Sequence, residues 1–281
     1  MKTIAIFFVV LLVQSIIIAQ SCLPDGIYFD TQEEIDNFQS NYPNCSIIEG
    51  SVDIVEEDDE ITNLNGLSVL TAINGHLSIW WNDNLINLTG LDNITYIGGS
   101  IEIFENNSLS SLSGLNSLTS IGGDLDIWTN NELSSLEGLE NLTSVGGLLL
   151  IWNNNALTDL SGLENLSSIS AEFEIWENDG LTDLSGLDNL TSLKYLDIYD
   201  NNSLKSLSGF TVLSELEELW IDDNENLPDL SGLENINAIN GSVKIENNPV
   251  LTSLSGLDNV DASTIQDLYI AENSSLSTCN V

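Results

Sequence analysis

The chain has no arginine, only four lysines and one histidine, set against 44 acidic residues. Binding a phosphate backbone requires Lys or Arg to displace condensed counterions, so this shortage excludes nucleic acid as a partner. Docking to anionic lipid is excluded for the same reason. His76 stands alone, so no nucleophile–histidine–acid constellation and no zinc-ligand cluster can be assembled around it, and beside a Gly turn it reads as a surface residue. A polysaccharide lyase would need a basic residue in its site, yet Lys194, Lys205 and Lys244 are scattered. The two carboxylates of a glycosidase cannot be singled out among dozens. These absences point to a protein that is not an enzyme, with a carbohydrate-active enzyme as the remote alternative.

Long apolar runs are also missing after the first twenty residues. The opening segment, Lys2 followed by Ile4 to Val13 and then Ile16 to Ala19, reads as a secretory signal peptide over 1–20, cleaved near Ala19 or Gln20. A membrane anchor is the alternative, against which stand its short length and the interruption by Gln14 and Ser15. A lipoprotein acylated at Cys22 fits the preceding Ala19, Gln20 and Ser21 poorly. Exported, the mature chain would be secreted or held at the cell surface, with no membrane insertion after cleavage. Cysteine is scarce: Cys22, Cys45 and Cys279 are the only three. In an oxidising compartment Cys22 and Cys45 are expected to close a cap over 21–50. Cys279 is then either a free thiol or the partner of a cysteine beyond Val281. The second reading, in which the solenoid over 51–281 lacks its C-terminal cap, is favoured.

Helix signals are almost absent too. The exception is a capping box from Thr31 to Glu34, which predicts one short helix in the cap.

What the chain has in abundance is self-similarity. Apolar-x-apolar pairs occur at Val52/Ile54, Leu77/Ile79, Ile101/Ile103, Leu125/Ile127, Leu149/Ile151, Phe173/Ile175, Leu196/Ile198, Leu219/Ile221, Val243/Ile245 and Leu268/Ile270. Successive pairs lie 23–25 residues apart. Alternation at period two marks a short strand with one buried face in every unit. Three residues after the second apolar position comes an asparagine: Asn82, Asn106, Asn130, Asn154, Asn178, Asn201, Asn224, Asn248 and Asn273. A coil that turns inward exposes backbone N–H and C=O groups to a dry interior, and a buried amide can satisfy both. Stacked turn upon turn, the amides would form a ladder. Each unit continues as in Leu109, Leu112, Gly114, Leu115, Leu118 and Ile121, with Gly122 and Gly123 permitting a tight bend.

This unit, L-x-I-x-x-N-x-x-L-x-x-L-x-G-L-x-x-L-x-x-I-G-G as in Leu125 to Gly147, resembles the leucine-rich repeats of the receptor L-domain type. It resembles still more closely the secreted L-domain-like proteins of marine Bacteroidetes, whose chains often continue into a C-terminal cap and a sorting domain. The resemblance implies a right-handed β-solenoid of about ten rungs with a small N-terminal cap, and a role in binding or adhesion. Glu57 replaces the asparagine in the first rung, as a terminal repeat allows.

The residue after each core isoleucine faces out. It is Trp80, Phe104, Trp128, Trp152, Trp176 and Tyr199 on six consecutive rungs, then Asp222, Glu246 and Ala271. With rungs roughly 4.8 Å apart, these rings would form a stripe on the order of 24 Å long. One reading is a contact surface for a glycan or protein at the cell surface. The other is a stack of rings that only stiffens the sheet. The column turns acidic while the core and Asn columns continue, which favours the contact surface. Mid-strand positions also face out, with Glu102, Asp126, Glu174 and Asp197 interrupted by Leu150 and followed by Trp220, Lys244 and Tyr269. No cofactor is expected. Ca²⁺ would find oxygen ligands in the runs Glu56 to Glu60 and Asp222 to Glu225, but no calcium-loop motif is present and solvated acidic loops are the simpler reading. Sequons at Asn87, Asn93, Asn141, Asn165 and Asn189 follow from the repeat itself, and an ice-binding face is disfavoured because Trp and carboxylates replace flat Thr columns.

Overall fold

A computed structural model describes residues 20–56 and 61–277. The leader up to residue 19, Glu57 and the rest of the run to Glu60, and Cys279 lie outside the described residues. The described chain is a parallel β-solenoid with one eleven-stranded sheet along its length, and a seven-stranded and a two-stranded sheet besides. The longer sheet has eleven strands and includes Leu77–Trp80, Ile101–Phe104, Leu125–Trp128, Leu149–Trp152, Glu172–Trp176 and Tyr195–Tyr199. A sheet of two-residue strands such as Ser120–Ile121 and Ser144–Val145 forms a second wall.

Register is unbroken between neighbouring coils: Leu125 pairs with Leu149, Ile127 with Ile151 and Trp128 with Trp152. Identical positions therefore stack, and each apolar column fills the interior from end to end. Leu125, Ile127, Leu133, Leu136, Leu139 and Leu142 are completely buried. A coil this thin cannot bury its apolar face alone, so the core exists only because neighbouring coils cover one another. At the last strand, Asp267–Ala271, that cover stops. Leu268 is 58% exposed although its column is buried in earlier coils.

Coiling begins earlier than the expected boundary at residue 51. Ile27–Phe29 pairs with Val52–Val55 in the long sheet, and Gln20–Cys22 pairs with Cys45–Ile48 in the short one. Ile27 and Phe29 repeat the apolar-x-apolar signature one period ahead of Val52 and Ile54, a signal available in the sequence. Thr31 caps the helix Gln32–Asp36 by accepting the Glu34 N–H at 3.3 Å. A second short helix, Phe38–Asn41, follows it and drives the Phe38 ring edge-on against Phe29. The Cys22–Cys45 disulfide joins the first two strands of the short sheet, with Cα atoms 5.7 Å apart.

The corner after each long strand is built by two consecutive residues. The first has a left-handed backbone although it is not glycine: Glu105, Thr129, Asn153 and Glu177 all have φ near 54°. Side chains other than Gly pay of order 1–2 kcal/mol for that conformation. The second residue is the buried asparagine, whose bonds hold the corner in place. Asn130 donates from Nδ2 to the carbonyls of Ile103 and Trp128, at 2.9 and 3.2 Å, while its backbone N–H donates to Asn154 Oδ1 at 3.1 Å. The same pattern runs from Asn82 to Asn273. Each amide thereby fastens the backbone of the outward ring beside it.

Candidate functional site

Because register is strict, Trp80, Phe104, Trp128, Trp152, Trp176 and Tyr199 do fall in one column on the outer face of the long sheet, each half-buried. They are not equivalent. From Trp80 to Trp152 the rings lie face to face, with centroids 5.4, 4.1 and 5.7 Å apart and planes within 26° of parallel. Trp81 caps the start of this stack edge-on, 4.6 Å from Trp80. Stacked rings cover one another's faces and show only their edges to solvent, so this segment stiffens the sheet more than it offers a platform. The ring stacking ends at Trp152, although Trp176 and Tyr199 continue the column.

Where the stacking stops, the face opens. Trp152, Trp176 and Tyr199 line a pocket of 330 Å³ together with Trp220, whose side chain comes from the mid-strand column and is 42% exposed. Sequence reasoning noticed Trp220 only as an interruption of the acidic positions. Its place in the mid-strand column, opposite Asp197 in the adjacent coil and two residues from the level of Tyr199, was the available signal. The Nε1–H groups of Trp152 and Trp176 are buried, and the Trp176 indole lies against Asp197. Lys244, also in the mid-strand column, closes one end of this pocket and bridges Asp222 at 2.5 Å and Glu246 at 3.0 Å. Its bond to Asp222 is the main cause that holds the ammonium well above the ordinary lysine range.

Beside this pocket the mid-strand carboxylates crowd without a cation between them. Burial raises Asp126 to about 6, helped by the charges of Asp124 and Glu102. Burial likewise raises Glu174 to about 7, followed by a hydrogen bond with Glu172 and the charges of Glu172, Asp197 and Asp126. Asp197 is raised to about 6 by burial, and the neighbouring Trp176 indole draws it back only in part. The folded chain therefore holds more protons than the unfolded chain between the ordinary carboxylate range and about pH 7. More protons on the folded side means that stability falls as pH rises through this window. The melting temperature is expected to be higher near pH 5 than near pH 8, the reverse of ordinary acid denaturation. Melting curves across that range check it, and Glu174→Gln combined with Asp197→Asn should flatten the slope.

The remaining candidates resolve into structural roles. His76 Nδ1 accepts the Ser100 backbone N–H at 2.9 Å, a staple between adjacent coils. In the run Asp222 to Glu225, Asn224 is buried in the ladder and Asp222 is paired with Lys244, so these oxygens do not converge. Among the described residues no group of three or more His, Cys, Asp and Glu is arranged to hold a metal ion. The sequon side chains Asn141, Asn165 and Asn189 each donate to a carbonyl of the preceding coil, at 2.6–2.7 Å, and form an outer Asn ladder. A Thr column does exist, on the short sheet: Thr119, Thr143 and Thr191 donate through Oγ1 to the preceding coil.

The family model described as the receptor L domain matches residues 44–118, which span the coils built on Val52–Val55, Leu77–Trp80 and Ile101–Phe104. The same coil geometry then continues to Asp267–Ala271. Over residues 44–118 the chain is similar to the receptor L domain. No match is found among curated proteins. Among the described residues of this L-domain-like solenoid, no helix is long and apolar enough to cross a membrane.

Proposed function

We propose that this protein is a secreted or cell-surface, non-catalytic scaffold that recognises a glycan through the outer face of its long sheet. The observation that carries this reading is the pocket at the end of the ring stack, where Trp152, Trp176, Tyr199 and Trp220 surround open space. Indole and phenol faces pack on the C–H surfaces of sugar rings, and sugar hydroxyls can donate to carboxylates. Asp197, Glu177 and Asp222 line the same pocket as such acceptors. The apolar leader supports export. A second reading, a stiffening column without a ligand, is favoured for the Trp80 to Trp152 segment alone, because those ring faces already cover one another.

The two readings separate by variant. On a glycan array, Trp176→Ala and Trp220→Ala are expected to weaken binding by at least about tenfold, as truncating an aromatic anchor does. Both should keep nearly the original melting temperature. Trp128→Ala, inside the stack, should lower the melting temperature and leave binding intact. If Trp176→Ala and Trp220→Ala bind glycans as the original chain does, the column is structural throughout.

A further inference from the structure

We infer that the glycan recognised at this face carries free amino groups, so that a protonated amino-sugar unit is the preferred occupant. This rests on the glycan reading above and narrows it to one chemical class. The aromatic pocket does not stand alone. A second pocket, of 310 Å³, adjoins it and shares two of its walls, Asp197 and Trp220. Its other lining includes Glu172, Glu174 and Glu218, with the Tyr195 ring on one side. Each volume lies near the lower bound of small-ligand sites, roughly 300 Å³, and matches a compact group more than an extended peptide.

The chemistry of the two pockets differs, and their junction is what selects the ligand. The aromatic side presents ring faces with the Glu177 carboxylate beside them. It asks for a ring with C–H faces and hydroxyl groups. The acidic side presents four carboxylates and no cation, since Lys244 is engaged with Asp222 and Glu246. Glu174 and Asp197 stand opposite each other in adjacent strands, and burial above all makes both hold protons beyond the ordinary carboxylate range. An ammonium on the ligand would replace those protons and neutralise the pocket, and the Trp220 and Tyr195 rings beside it would add cation–π attraction. A neutral sugar would leave the carboxylates uncompensated. Uronic or sulfated glycans would be repelled by a chain of net charge −40. A bare metal ion is a poor occupant because these carboxylates are not arranged around one point. A lysine or arginine from a basic protein could enter the acidic side, but it brings no ring to pack against the faces of the adjoining aromatic pocket.

The experiment is calorimetric titration of the full chain with four probes: short oligomers of glucosamine, their N-acetylated counterparts, a neutral β-glucan oligomer and oligolysine. Mildly acidic buffer keeps the sugar amine protonated. Glucosamine oligomers are expected to bind at least about tenfold more tightly than the acetylated and neutral sugars, with an affinity that falls as salt rises. Glu172→Gln with Glu174→Gln, which line only the acidic pocket, should abolish that preference and leave the neutral sugar's affinity unchanged. These substitutions remove repulsion, so loss of the fold does not compete as an explanation. Trp220→Ala should weaken all sugars together. Equal affinity for charged, acetylated and neutral oligomers would overturn the amino-sugar inference and leave the glycan reading standing. Oligolysine binding more tightly than any sugar would overturn it in favour of a basic protein partner. No heat from any saccharide would overturn both.

Discussion

Asn154→Leu is expected to destabilise the protein by about 2–6 kcal/mol, the cost of leaving at least two buried backbone groups unsatisfied. Asn154 Oδ1 accepts the Asn130 backbone N–H at 3.1 Å, and its Nδ2 donates to the Ile127 and Trp152 carbonyls at 2.9 and 3.0 Å. Leucine has nearly the same size and none of these bonds. The Asn130 N–H then has no acceptor, the Ile127 carbonyl loses its side-chain donor, and both lie where water cannot replace the amide. The Asn153 corner, left-handed at φ 54°, loses the side-chain bonds that hold it. Against total stabilities of about 5–15 kcal/mol, such a loss is large. Asn165→Leu is the control. Its Nδ2 donates to the Glu140 carbonyl, but the residue is exposed, so water takes over and the cost should stay within about 0.5–1 kcal/mol. Denaturant melts of the two variants decide the matter; equal losses would mean that the inner ladder carries no special weight.

Gly138→Ala should cost still more for one added methyl group. Gly138 has φ 113°, a region that side chains rarely enter, and a Cβ there would lie 2.1 Å from the carbonyl oxygen of Leu112 in the preceding coil. Neither atom belongs to a flexible side chain, so two coils must move apart. A loss of about 4 kcal/mol or more is expected, from backbone strain and steric overlap together. Glu137→Ala, one residue earlier and exposed, should change stability by no more than about 0.5 kcal/mol. A thermal melt of Gly138→Ala close to that of the original chain would show that the coils can part at little cost.

Much of this architecture was legible because a repeat states the same constraint many times. One Asn three residues after an isoleucine means little; nine in register require equivalent environments, and the bonding of Asn82 to Asn273 shows what that environment is. The early start of the coil at Ile27 was written in the same period but was hidden by the helix signal beside it. Inner and outer asparagines look alike in the sequence, and only burial separates Asn154 from Asn165. The left-handed corners at Glu105 or Thr129 carried no signal, since neither residue type announces that conformation.

The sequence alone determined the period, the columns and the sign of the charge, because these depend on the order of residues along one coil and on composition. Only the tertiary structure decided what the aromatic column does. Whether one ring covers the next or leaves a gap depends on side-chain packing between coils, which residue order does not encode. That packing closes the faces from Trp80 to Trp152 and opens a pocket where Trp220 meets Trp176 and Tyr199. It also sets Glu174 and Asp197 against each other beside that pocket, where burial turns an ordinary acidic surface into carboxylates that hold their protons.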